Sequence, residues 1–227
     1  SLVQHAGHGP TKVNYAAMTG DLEALRQYIS VDAVDPDVYD IDGITALQRA
    51  CKDGHYDVVE LLLKYRADPN RLTPQGWSSL QLATRADHLE IAQLLLQYRA
   101  DIKLMDATGA KLLQLAAENG NAGFYKLYVE NGLDPNSSLD SGKTILRYAI
   151  EAGDRSAISY LIGVGADPTV QPKQQSTNLH WAIHHRNISL VTRLLVEGID
   201  PNKHWQDDPT PLSLAYEVGD ELIIDTL

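Results

Sequence analysis

The chain has 227 residues, 44% hydrophobic and 22% charged, with one cysteine and a formal charge of −11. That composition excludes a disordered chain and a disulfide framework. With 19 basic residues against 30 acidic ones it also argues against nucleic-acid binding, which needs a basic surface to displace counterions. No run approaches the roughly 18 apolar residues of a membrane span. Ser1 to Pro10 lacks the basic-then-apolar order of a secretory signal. The lone thiol fits a reducing compartment, so a cytoplasmic or nuclear location is expected. A single phenylalanine, Phe124, stands beside 11 tyrosines, a balance suited to contact surfaces and thin cores.

Leucine recurs every 33 residues at Leu47, Leu80, Leu113, Leu146, Leu179 and Leu212, and alanine keeps step from Ala50 to Ala215. Glycine precedes the leucine by four residues at Gly43, Gly76, Gly109 and Gly142. An Asp-Pro turn returns at Asp35, Asp68, Asp134, Asp167 and Asp200, with Asp101-Ile102 in its place once. Several features held in one register indicate stacked copies of a small unit.

In chain order the copies span about 8–41, 42–74, 75–107, 108–140, 141–173 and 174–206, with a partial one over 207–227. The first runs one residue out of register, from Gly9-Pro10-Thr11 through Ala16 and Gly20. From the second copy onward a short helix opens on Thr45, Ser78, Thr144, Thr177 or Thr210, whose hydroxyls can cap free N–H groups. A glycine break follows, and a second helix begins at a polar cap such as Asn121, Asp154, Asn187 or Asp220. Its apolar face is plain in Val58, Val59 and Leu61 to Leu63. Gly132, Gly165 and Gly198 end it in the left-handed conformation. The seventh copy stops inside its second helix, at Leu227, as a short cap or a cut from a longer protein would.

The second copy reads Asp42-Gly43-Ile44-Thr45-Ala46-Leu47-Gln48-Arg49-Ala50-Cys51-Lys52-Asp53-Gly54-His55, and closes on Val58-Val59, Leu62-Leu63 and Ala67-Asp68. This resembles the ankyrin repeat, about 33 residues of turn, helix, turn and helix, over nearly the whole chain. The resemblance implies a single domain over 1–227. It would be an all-α solenoid of stacked helix-turn-helix units with β-turn or hairpin loops, neither enzyme nor cofactor carrier, that is, a non-catalytic scaffold or adaptor. It further implies that partners meet a concave face built from hairpin tips and the first helix of each unit. Asn70, Asn136 and Asn202 follow the Ala-Asp turn, or its Leu-Asp and Ile-Asp counterparts, where members of the family can be asparaginyl-hydroxylated.

Departures from the family pattern carry information. Lys111 removes the hydroxyl cap from the fourth copy, and Arg66 and Arg99 replace the C-cap glycine inside two successive Tyr-Arg-Ala-Asp segments. Asp87 and Arg186 replace the glycine between the two helices. The steps Tyr65-Arg66 and Tyr98-Arg99 combine residue types that anchor interfaces.

Nucleotide-binding, zinc-protease and hydrolase motifs are absent from the sequence. Cys51, next to the inward Ala50, reads as a buried small side chain rather than a nucleophile. His180 and His184 share a helix face but form a poor metal site without a nearby carboxylate or cysteine. No metal is expected. The concave surface is expected at tip residues Tyr39, Ile41, Leu72, Trp77 and Met105. Along the first helices it adds Lys52, Asp53, Arg85, Glu118 and Glu151. Trp77, close to Arg85, is the anchor of choice. The expected mode is a monomer binding a protein or peptide partner, with Lys52, Arg66, Arg85 and Arg99 forming a basic patch for an acidic segment. A second reading takes the chain as the recruiting part of a larger enzyme or pathogen effector.

Overall fold

The computed structural model describes residues 9–104, 109–138, 142–170, 176–203 and 209–227. It forms two compact bodies, 1–133 and 134–227. The first body carries α1 (Gly9–Thr19), α2 (Leu22–Arg26, prolonged by a π-helical turn over Gln27–Val31), α3 (Ala46–Asp53) and α4 (Tyr56–Lys64). It continues with α5 (Ser79–Arg85), α6 (Leu89–Gln97), α7 (Ala110–Asn119) and α8 (Ala122–Glu130). The second body carries α9 (Ile145–Ala152), α10 (Arg155–Gly163), α11 (Asn178–His184), α12 (Ile188–Val196), α13 (Pro211–Val218) and α14 (Glu221–Thr226). Odd-numbered helices are the first of each repeat and even-numbered ones the second. Each pair is joined by a short turn, so its two helices run antiparallel.

The caps explain where each helix starts. Thr45, Ser78, Thr144, Thr177 and Thr210 each accept a hydrogen bond from the backbone N–H three residues on. Gln48 and Gln81 return the bond to the cap backbone, closing capping boxes. Where Lys111 removes the hydroxyl, α7 instead begins at Ala110, behind a left-handed Gly109 with no side-chain cap. Asn121, Asp154, Asn187 and Asp220 cap the second helices as expected.

Stacking buries the repeated apolar positions. Leu47, Leu80, Ala50 and Ala83 in the first body, and Leu146, Leu179, Ala149 and Ala182 in the second, are all at most 1% exposed. Each such leucine contributes on the order of 2 kcal/mol over an exposed one. In α8 the aromatics go inward. Phe124, Tyr125 and Tyr128 are buried, so in this repeat the tyrosines serve the core rather than a contact surface. The Tyr128 hydroxyl donates to Thr84 Oγ1, whose own proton goes to the Leu80 carbonyl at 2.6 Å. Burial pushes the Tyr128 hydroxyl well above its ordinary range.

The hairpins are pinned at their bases by isolated antiparallel bridges, Tyr39 to Thr45, Leu72 to Ser78 and Ser138 to Thr144. A second ladder ties one loop to the next. Asn70 Oδ1 accepts from the Asp101 backbone N–H at 2.7 Å while its amide donates to the Arg99 carbonyl at 3.2 Å. Asn136 repeats the arrangement with Asp167 and Gly165, at 2.7 and 3.1 Å. Asp37, which has no N–H to donate, only accepts, from the Asp68 backbone at 2.9 Å.

Arg66 and Arg99 sit at φ 65°, the left-handed region that favours glycine. Gly165 holds the equivalent place at φ 92°. Both arginine side chains are exposed, so nothing in the core compensates the strain. Arg66→Gly and Arg99→Gly are each expected to stabilise the protein by about 1 kcal/mol. Urea unfolding at constant slope is the check.

Candidate functional site

The hairpin tips and first helices of the first body bring most of the expected residues onto neighbouring elements. Tyr39 and Ile41 project from the first tip, 43% and 88% exposed. The Tyr39 ring lies beneath the Arg71 guanidinium, 5.6 Å from the ring centroid, and its hydroxyl accepts from Arg71 Nη1 at 3.2 Å. Asp40, beside Tyr39, is not available to a partner in the same way, because with Asp42 it holds Arg49 of α3. Leu72 is half-buried at the base of the next hairpin.

Trp77 immediately precedes the cap of α5 and is half-buried. Its N–H is held by Thr73 Oγ1 at 3.1 Å, which fixes the backbone from which the indole projects. Two cations approach the ring: Arg85 from the far end of α5, 5.1 Å from the centroid, and Lys111 of α7, 5.7 Å away. Arg85 is legible from its helical spacing to Trp77. Lys111 was legible only as a missing cap, and its contact with the indole comes from the neighbouring repeat.

The side chains of Arg85 and Lys52 are exposed and meet no acidic side chain among the described residues, while the Lys52 carbonyl lies 3.3 Å from His88 Nε2. Asp53 beside Lys52 is exposed too, and exposed Glu118 takes a hydrogen bond from Gln114 at 2.8 Å. Tyr65 and Tyr98 are half-buried C-caps of α4 and α6. The expected single basic patch is therefore corrected to two pairs. Lys52 and Arg85 close first helices, whereas Arg66 and Arg99 follow second helices that run back the other way. The nine residues of α4 set the pairs about 13 Å apart along that direction. Met105 lies outside the described residues.

In the second body, Glu151 is not a free acid. Arg147 Nε donates to it at 2.8 Å and Lys143 Nζ at 2.9 Å. Arg147 is 3% exposed and reaches on to the Ser176 and Thr177 carbonyls at 3.3 Å. Burial raises the Glu151 carboxyl, but the hydrogen bonds and charges of Arg147 and Lys143 outweigh it, and the net shift is downward.

His180 is buried with both ring nitrogens engaged, Nδ1 at 2.7 Å from Thr177 Oγ1 and Nε2 at 2.8 Å from the Pro209 carbonyl. A carbonyl can only accept, so Nε2 carries the proton and Thr177 donates to Nδ1. Its neighbour His184 is exposed. Trp181 stacks on His185 at 3.9 Å and lies 5.9 Å from Arg147. Among the described residues no group of three or more His, Cys, Asp or Glu is placed to hold a metal ion. Nor is any helix among them long and apolar enough to cross a membrane. Cys51 is fully buried, and burial pushes its thiol well above the ordinary range.

A family model for ankyrin repeats, three copies in length, matches residues 13–106 and again 113–204. No curated protein matches the chain in sequence. Among solved structures the chain is similar to the ankyrin repeat domain of Bcl-3, described as a unique member of the IkappaB protein family. The identity is 25% and the TM-score 0.77, covering 95% of this chain and 96% of that one.

The Glu151 cluster sets a pH dependence. Because the folded pKa lies below the unfolded one, its stabilisation is present above the unfolded value of about 4.3 and is lost as pH falls through the folded value. Glu151→Gln is expected to lower stability by about 1 kcal/mol at neutral pH. That difference should close on acidification below the folded value, as measured by parallel urea unfolding across the range.

Proposed function

This chain belongs to the ankyrin-repeat family, and from that premise we propose that it is a non-catalytic protein-interaction module. It binds a protein or peptide segment on the concave face of the first body and acts as a scaffold or adaptor inside the cell. The observation that carries this reading is the Trp77 cluster. A half-buried indole held against Arg85 and Lys111 offers a flat apolar surface beside charges with little flexibility to lose, the character of an interface anchor.

The chemistry favours a partner that carries carboxylates. Arg85 and Lys52 supply donors that no acidic side chain occupies among the described residues, and the arginine fork suits a carboxylate bidentately. Ile41 and Tyr39 at the neighbouring tip add apolar contact. Binding then needs little backbone change, because caps and bridges already fix the tips. Burial argues against Cys51 as a nucleophile.

Trp77→Ala with Arg85→Ala is expected to weaken capture of partners from the native cell extract by at least about tenfold. Circular dichroism should be unchanged. Equal capture by wild type and the double variant would move the binding face elsewhere.

A further inference from the structure

Of the two basic pairs in the first body, the proposed Trp77 surface uses Lys52 and Arg85 and leaves Arg66 and Arg99 unassigned. These two stand where successive repeats leave their second helices, and their backbone bonds match those of Gly132. The N–H groups of Arg66, Arg99 and Gly132 each donate to the carbonyl three residues back, at 3.0 Å. The next N–H in each case closes on the carbonyl five residues back, at 2.9 to 3.0 Å. Glycine makes this left-handed turn without strain, so the turn itself does not call for arginine.

Nor do the side chains serve the fold. Both are exposed, and neither guanidinium makes an ion pair or hydrogen bond among the described residues. The acids nearest in sequence, Asp68 and Asp101, instead accept from the backbone N–H groups of Asn70 and Lys103, both at 2.9 Å. Asp68 also meets Arg71 at 3.7 Å, and Lys64 is paired with Glu60 at 3.0 Å. A strained backbone kept twice at φ 65° under exposed, unpaired charges points to function rather than stability.

The row is bounded. Ala33 holds the place before Arg66, and Gly132 the place after Arg99, so an occupant meets two positive charges one repeat apart. Packed helices lie about 10 Å from one another. In a polyproline-type chain, residues three apart share a face and stand about 9 Å apart, whereas a β-strand turns them to opposite faces. Half-buried Tyr65 and Tyr98 immediately precede the arginines, and proline-rich segments dock on aromatic surface. We propose that Arg66 and Arg99 clamp an extended, polyproline-type segment of a partner protein with aspartate or glutamate three residues apart. Each guanidinium fork takes one carboxylate. This site is independent of the Trp77 surface.

The test titrates the full chain into a fluorescein-labelled, proline-rich peptide with two glutamates three residues apart, read by anisotropy at low salt. The same peptide with both glutamates replaced by glutamine is the control. Saturable binding is expected, about tenfold weaker for the glutamine peptide and for Arg66→Gly with Arg99→Gly, and unchanged by Trp77→Ala. The double glycine variant should also unfold at higher urea than wild type, which separates lost binding from lost folding. Absence of binding, equal binding by the glutamine peptide, or equal binding by the double glycine variant would each overturn the proposal. So would a double glycine variant less stable than wild type, since the arginines would then serve the fold. Loss of binding with Trp77→Ala would overturn it as well, by moving the peptide to the other basic pair.

Discussion

A helix pair of 33 residues has an apolar face on either side and too little interior to bury either by itself. Everything else in this protein follows from that constraint. Leucine and alanine recur in fixed register because each must meet the same surface of the next pair, and a slip of one residue would turn the leucines away from it. Helix starts must be equally regular, which is why a hydroxyl stands at Thr45, Ser78, Thr144, Thr177 and Thr210. The bonds from Asn70 and Asn136 hold successive loops at a constant spacing, as stacking of the helices beneath them requires.

The constraint also divides the residues by role. Positions between repeats are spoken for, so variation is free only at the tips, at the helix ends and on the outer surfaces. The first body uses that freedom to place an indole against two cations. The second uses it differently, burying Arg147 beneath Trp181 and tying Glu151 to its own repeat. The same helical position is therefore open to a partner at Arg85 and Lys52 and closed at Glu151.

Much of the architecture was legible in the sequence, because caps and stacking residues are local, periodic signals. The left-handed places of Arg66 and Arg99 could be read from the glycine they replace, and the loss of a cap at Lys111 from the missing hydroxyl. Other features depend on where long side chains reach. The earlier start of α7 follows from Gly109 taking over as the cap. The engagement of Glu151 needs two cations, one of them in the loop before α9. The splitting of the basic patch follows from the antiparallel run of the helix pair, which distance along the sequence conceals. Tyr128 packs inward with its hydroxyl on Thr84, a pairing across two repeats that a tyrosine composition does not reveal.

In the proposed mode the first body binds through its tips and first helices rather than its second helices. Hydroxyl-radical footprinting with and without a captured partner tests it most directly. Tyr39 on a tip and Tyr56 on α4 are 43% and 41% exposed, so the two report the opposing surfaces with similar sensitivity. Oxidation of Tyr39 and Trp77 is expected to fall on binding while Tyr56 is unchanged. Protection of Tyr56 with Tyr39 and Trp77 still reactive would contradict it.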